Sequence, residues 1–240
     1  MTLEVAAHRS DAEALTNHCY EQGDLVSKWG CIVEPFGCDY PDIDVTDSAK
    51  ATRHGYTDLR DQIGLSPELS ICTLDRYGAC AYQLLPPSSN EPVCLLNEQY
   101  IVKPPRSGAE FAWHQDVLYF TASQRQTCIV SVWTPLDDVD AGNGTVLIDP
   151  YPDPKAPGHY PDGSRDPVVA NMRAGSALFM DGRLRHCSGG NSSGSFRTAF
   201  MPQFSQMPMR DERGGYIALA VPVGKVPPVI DRNKELIKKT

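Results

Sequence analysis

The sequence predicts a mainly β protein, a barrel or jelly roll buttressed by helices on its N-terminal side. Three observations lead there. Helix-like spacing of apolar residues is confined to the chain before Pro86, six strand-like runs follow between Cys94 and Phe204, and clusters of Gly, Pro, Asn and Asp separate those runs.

The first expected element is a helix capped by Ser10 and Asp11, carrying Ala14, Leu15, His18, Cys19 and Leu25 toward Trp29 and broken by Gly30. Cys31-Ile32-Val33 reads as a short strand, and Phe36 to Tyr56, rich in Asp, Pro and Gly, as an irregular loop. A second helical pattern begins at Ser66-Pro67-Glu68, where proline suits a first turn. It carries Leu69, Cys72, Leu74, Tyr77 and Ala81 at mixed three- and four-residue intervals, and Pro86-Pro87 ends it. The strand-like runs are Cys94 to Val102, Phe111 to Asp116, Cys128 to Thr134, Thr145 to Ile148, Ser176 to Met180 and Phe196 to Phe204. Asp149 to Pro167 holds six prolines and almost no aliphatic residue, so it is expected as a surface loop that could cover the mouth of a barrel. The whole chain, 1–240, reads as one domain: a helical buttress over about 10–85, a core over about 94–205 and a Pro-rich tail over about 215–240. That tail is expected to pack on its own domain or on a neighbouring subunit of a homo-oligomer.

A chain of 240 residues with 41% hydrophobic content can bury a full core. Its formal charge of -8 argues against nucleic acid as a partner, the one Lys-rich stretch being the short end from Lys234 to Lys239. No window approaches a membrane span, and the first residues carry His8, Arg9 and acidic groups where a signal peptide would have an apolar core. The expectation is a soluble, cytoplasmic protein. Eight cysteines, scattered and without a CxxC pair, are expected as reduced core thiols, with Cys187 exposed to whatever chemistry its neighbour His186 supports.

In Phe111-Ala112-Trp113-His114-Gln115-Asp116, imidazole and carboxylate are two residues apart. In a strand such residues face the same way, so both can bind one metal ion. His186, between the run ending at Met180 and Gly189-Gly190, is the expected third ligand. Two His and one carboxylate make the facial triad of non-haem Fe(II) oxygenases, which leaves coordination positions open for a co-substrate and O2. A dicarboxylate that chelates iron at one end needs a cation at the other; Arg197, eleven residues after His186, offers a bidentate donor, and Ser188 a hydroxyl.

These residues sit within blocks that resemble the phytanoyl-CoA dioxygenase family over about half the chain, Asn97 to Phe204. The blocks are Ile101-Val102-Lys103-Pro104-Pro105 with Trp113-His114-Gln115-Asp116-Val117-Leu118-Tyr119-Phe120; Cys128 to Leu136 with Gly142-Asn143-Gly144; and His186-Cys187-Ser188-Gly189-Gly190-Asn191 through Phe196-Arg197. The resemblance implies a cupin-like double-stranded β-helix, Fe(II) bound by His114, Asp116 and His186, and 2-oxoglutarate and O2 as co-substrates. By position it also implies that Trp133, Ser188 and Arg197 contact 2-oxoglutarate, with Asn97 and Gln99 as further contacts. The chain departs from the family after Gly144, where Ile148-Asp149-Pro150-Tyr151-Pro152 stands in place of the usual Pro-Gly-Ser-His turn.

The expected activity is oxidation, by default hydroxylation, of a C–H bond in a small or medium organic metabolite, releasing succinate and CO2. Desaturation, cyclisation or endoperoxide formation, as in natural-product biosynthesis, is the alternative within the class. The intact Asp116 speaks against a halogenase, which leaves that position to chloride. The rivals of other classes are a non-catalytic jelly-roll binding protein and a cupin-like metal isomerase or epimerase that works without 2-oxoglutarate. Lys103, Arg106, Arg183 and Arg185 are the candidates for a positive patch that could hold coenzyme A phosphates, and Tyr119, Tyr151, His159 and Tyr160 are candidate pocket groups.

Overall fold

A computed structural model describes residues 3–21, 32–33, 64, 66, 69, 72–86, 88, 91–107, 110–150, 166–210, 212–214 and 220–223. The expected Phe36–Tyr56 loop, most of the Asp149–Pro167 loop and the tail beyond Val223 lie outside these residues, as do Tyr151, His159 and Tyr160.

The β strands are β1 (Ile32–Val33), β2 (Cys94–Lys103), β3 (Phe111–His114), β4 (Ile129–Pro135), β5 (Val146–Ile148), β6 (Val168–Val169), β7 (Leu178–Asp181), β8 (His186–Ser188), β9 (Arg197–Ser205) and β10 (Val221–Pro222). They form two antiparallel sheets, one ordered β1-β2-β9-β4-β7 with β10 also against β2, the other β3-β8-β5-β6. The pairings β2 with β9, β3 with β8, β4 with β7 and β5 with β6 are nested. They describe one long hairpin whose tip is β5–β6 and whose arms step alternately from one sheet to the other. Further pairing of β4 with β9 and β5 with β8 closes the wound hairpin into a double-stranded β-helix. The expected mainly β jelly roll is therefore the fold observed.

Helix α1 spans Leu3–Glu21, so it starts well before Ser10 and Asp11. Those two residues do not cap it. Asp11 is buried inside the helix, where its carboxylate accepts from the backbone N–H of Ser66 at 3.0 Å and from the Ser66 hydroxyl at 3.1 Å. It thus holds the beginning of the second helical segment, a tertiary role that local sequence cannot reveal. That segment contains a π-turn over Thr73–Tyr77 running into α2 (Gly78–Leu84). The residue gained in a π-turn accounts for the mixed apolar spacing. Gly78 is needed where α2 meets the chain just after β10, since a Cβ there would lie 2.8 Å from Val223 Cγ1.

Each face of the large sheet buries a different set of residues. Outward-facing Tyr100, Val102 and Phe200 pack with Val5, Ala12 and Leu15 of α1, and Leu95 and Phe204 pack with Ala81, Leu85 and Val223. The described start of the tail therefore packs on its own domain. Inward-facing Ile101, Trp133, Met180, Ala199 and Met201 meet Val146, Phe111 and Ile148 of the small sheet. A cavity remains between the sheets.

Candidate metal and 2-oxoglutarate site

The expected metal ligands meet because β3 and β8 are antiparallel neighbours. His114 and His186 are partners across that pair, with ring centroids 4.3 Å apart. Strand bonding ends at His114, and Asp116 opens a 3-10 turn over Asp116–Tyr119 rather than continuing the expected strand. Gln115 is still extended, at φ -125° and ψ 135°, so the carboxylate comes back to the side of the imidazole two residues before it. His186, expected between a strand and a turn, opens β8 itself. Asp116 Oδ1 lies 3.6 Å from His114 Nε2 and 3.7 Å from His186 Nε2, and the three donor atoms all fall within 4.8 Å of one another.

The surroundings aim these donors. His114 Nδ1 is 2.8 Å from the Ala112 carbonyl and His186 Nδ1 is 3.0 Å from the Leu184 carbonyl. Each ring in its neutral form donates from Nδ1 and presents a lone pair on Nε2. Asp116 Oδ2 accepts from the Ser131 hydroxyl and, at 2.9 Å, from Gln203 Nε2, while Oδ1 faces the two imidazoles. Burial opposes ionisation of Asp116, yet His114, His186 and Ser131 outweigh it and hold the carboxyl below its ordinary value. Burial likewise works against protonation of His114, but Asp116 and the Ala112 carbonyl bring its net shift upward; in the more enclosed His186, burial prevails and the shift is downward.

Residues along β2 and β9 line the same cavity, of about 320 Å³, with Asn97, Gln99, Arg197 and Gln203 among them. Arg197 is 1% exposed. Its Nη2 donates to the Gly144 carbonyl at 2.8 Å, its guanidinium carbon stands 5.8 Å from the centre of the Trp133 ring, and its Nε is buried without a partner. Burial lowers its pKa to about 10, against a smaller opposing effect of Asp137, so it remains charged at neutral pH. Gly144 makes this contact only as glycine: φ is +81°, and a Cβ would lie 2.7 Å from the Gly189 carbonyl.

All eight residues expected at the site line this one cavity: His114, Asp116, His186, Arg197, Ser188, Trp133, Gln99 and Asn97. Asn97 Oδ1 is also buried without a partner. Tyr119 lines the cavity as expected, 73% exposed, with its ring edge-on to His114 at 5.6 Å. Of the four cations expected to offer a positive patch, Lys103 is withdrawn by its burial. Lys103 is fully buried and bonded to the Ser188 hydroxyl at 2.8 Å, while Arg185 pairs with Asp149 at 3.2 Å and covers Trp113. Ser131 and Gln203, bonded to Asp116, and Lys103, bonded to Ser188, are neighbours of the site that its expected residues did not include. The available signal for Ser131 and Gln203 was a polar side chain inside a strand-like run; Lys103 lies one residue past the end of another.

The profile of the family described as phytanoyl-CoA dioxygenase (PhyH) matches residues 42–199. The chain belongs to that family. A curated relative, the peroxisomal phytanoyl-CoA dioxygenase of Bos taurus, is 28% identical over 134 residues, 47% of this chain and 40% of the relative, so the match spans less than half of the relative's length. Among solved structures, EvdO2 from Micromonospora carbonacea var. aurantiaca in complex with 2-oxoglutarate is 24% identical, with a TM-score of 0.46 over 61% of this chain and 67% of that one. The non-heme alpha ketoglutarate dependent epimerase SnoN from nogalamycin biosynthesis is 21% identical, with a TM-score of 0.48 over 83% of this chain and 78% of that one. Fe(II) and 2-oxoglutarate fit this family and this donor set: three hard or borderline donors converge on one point, and a buried guanidinium with an unpartnered N–H shares their cavity. Among the described residues, no helix is long and apolar enough to cross a membrane.

Proposed function

We propose that this protein is a non-haem Fe(II)- and 2-oxoglutarate-dependent oxygenase that oxidises, by default hydroxylates, a C–H bond of a small or medium organic metabolite. The observation that carries this reading is the meeting, in one cavity, of the His114-Asp116-His186 donors with the buried Arg197, whose Nε lacks a partner. A polar atom left unpaired in a buried site costs stability, and an anionic ligand would satisfy it.

In this reading His114 Nε2, His186 Nε2 and Asp116 Oδ1 hold the metal, and the Ser131 and Gln203 bonds keep Oδ2 from competing for it. Iron held there would supply the coupling of O2 to oxidative decarboxylation of 2-oxoglutarate to succinate and CO2, one oxygen atom entering succinate and, in a hydroxylation, the other the substrate. Arg197 binds the far carboxylate, Ser188 donates a hydroxyl to it, and Trp133 walls the same end. Asn97 and Gln99 offer amides nearer the metal. Ile101, Val146, Met180 and Met201 keep the cavity dry, which strengthens each of these polar contacts.

The charged groups lining the cavity, among the described residues, are the metal ligands and Arg197. With Lys103 buried away from the surface, this favours an uncharged organic metabolite over an acyl-CoA. Hydroxylation, desaturation and cyclisation then differ in how the substrate's C–H bonds are presented.

The test is anaerobic addition of Fe(II) and 2-oxoglutarate, followed by O2, with succinate and O2 uptake measured. Wild type is expected to release succinate only when all three are present, and His114→Ala and Asp116→Ala to release none. Equal binding of Fe(II) and 2-oxoglutarate by wild type and both variants would overturn the assignment. Binding without succinate release under any substrate mixture would support a non-catalytic jelly roll instead.

A further inference from the structure

We infer that Lys103, a residue outside the cavity wall, is a positioning residue that turns the Ser188 hydroxyl and the neighbouring chain into a fixed seat for the far carboxylate of 2-oxoglutarate. The inference rests on the proposed reading of the site and adds to it a residue that touches neither metal nor co-substrate.

Lys103 ends β2 directly across from Arg197, the first residue of β9. It is wholly buried. Its Nζ donates to the Ser188 hydroxyl at 2.8 Å, to the Ser188 carbonyl at 3.3 Å and, in a shorter contact, to the Gly189 carbonyl. One ammonium thereby ties β2 to the end of β8, two residues beyond the ligand His186. Asn191 completes the tie from the other side, its amide donating to the Lys103 and Pro104 carbonyls at 3.1 Å each and to that of Ser195 at 2.8 Å.

The consequence for Ser188 follows from the inventory of a hydroxyl, which has one proton to give and two lone pairs. Lys103 occupies a lone pair, so the proton points elsewhere, and Ser188 lines the cavity. The hydroxyl proton is thus directed away from Lys103 and can be given to an incoming carboxylate. The aliphatic part of Lys103 also runs close to Gly144, where a Cβ would lie 3.0 Å from Lys103 Cδ. Lys103 therefore acts on the seat through the Ser188 hydroxyl.

A buried ammonium beside a guanidinium is costly. Burial, and then the charge of Arg197, bring the Lys103 pKa down to about 7. A dianion bound at Arg197 would reverse the second effect, so binding of 2-oxoglutarate and full protonation of Lys103 favour each other. A merely structural lysine could be replaced by methionine, which matches its shape without its charge, at no cost to ligand selectivity.

The experiment compares wild type, Lys103→Met, Ser188→Ala and the double variant, each loaded anaerobically with Fe(II), for the affinity of 2-oxoglutarate and of pyruvate. Pyruvate has the chelating 2-oxo acid group and lacks the far carboxylate. The expected result is a loss of about tenfold in 2-oxoglutarate affinity in each single variant, with pyruvate and Fe(II) affinities unchanged. The double variant is expected to be little worse than either single one, because both act through one hydroxyl. Unchanged 2-oxoglutarate binding in Lys103→Met overturns the inference, as does an equal loss for 2-oxoglutarate and pyruvate, the mark of general damage. Additive losses overturn it too. If Lys103→Met fails to fold, Lys103→Leu takes its place under the same criteria: a selective loss for 2-oxoglutarate is required, and no such loss refutes the inference. A wild type that binds no 2-oxoglutarate would instead overturn the proposed function on which the inference stands.

Discussion

The two faces of the strand pair β2–β9 do opposite work. Toward the helices, Tyr100, Val102, Phe200 and Phe204 pack tightly among apolar neighbours and contribute stability. Toward the small sheet, the alternate residues Asn97, Gln99, Arg197 and Gln203 are polar, and two of their buried atoms, Asn97 Oδ1 and Arg197 Nε, have no partner. Strand alternation lets one pair of strands build both. The outer face gives back some of what the inner face costs, and the difference teaches where substitutions should harm folding and where they should harm only ligand binding.

The strongest way to break this comparison is Arg197→Met. If the inner face is built for an anion at the expense of stability, the variant should bind 2-oxoglutarate about 100-fold more weakly or worse, through loss of two charge-assisted bonds. Its Fe(II) affinity should be unchanged, and the melting temperature of the metal-free protein should rise. The anaerobic metal-to-ligand charge-transfer band and thermal unfolding measure the two effects. A lower melting temperature would show that Arg197 belongs with the stabilising face after all.

A smaller effect is expected from Gln203→Leu and Ser131→Ala, which remove the partners of Asp116 Oδ2. Each should weaken Fe(II) binding about tenfold by freeing the carboxylate to turn, with little change in 2-oxoglutarate affinity once the iron site is saturated. Metal titration monitored by the same band separates the two. An effect confined to 2-oxoglutarate would place Gln203 with Arg197 and dissolve the division of labour along β9.

How much of this was legible in the sequence follows from which side chains declare themselves locally. The long runs of β2, β4 and β9 were visible because both of their faces are largely buried, which makes them continuous rather than alternating. The two-residue β6 and β10 and the three-residue β8 were not, since their pairing comes from neighbours distant in the chain. The start of α1 was misplaced because Asp11, an ordinary capping residue by type, is used by Ser66. Within the site, His114, Asp116, His186 and Arg197 announced themselves by chemistry and spacing. Lys103 did not: a lysine reads as a surface cation until β8 is known to lie over it.

The smallest expected effect tests the outer face itself. His8 of α1 is 3% exposed, stacked on Phe200 at a centroid distance of 4.4 Å, with Nδ1 2.7 Å from the Tyr100 hydroxyl. Burial lowers its pKa from 6.5 to about 4. Between these two values the unfolded chain binds a proton that the folded protein refuses. The stabilisation is therefore complete above pH 6.5 and is lost as the pH falls toward 4, by roughly 3 kcal/mol in all. Carboxylates titrate in the same window, so the measurement is a difference: unfolding free energy of wild type minus that of His8→Asn, followed from pH 8 to pH 4. That difference should be flat above pH 6.5 and decline below it. A flat difference throughout would mean that α1 swings away to let His8 ionise, and the outer face would then be a movable cover rather than the rigid support of β2 and β9.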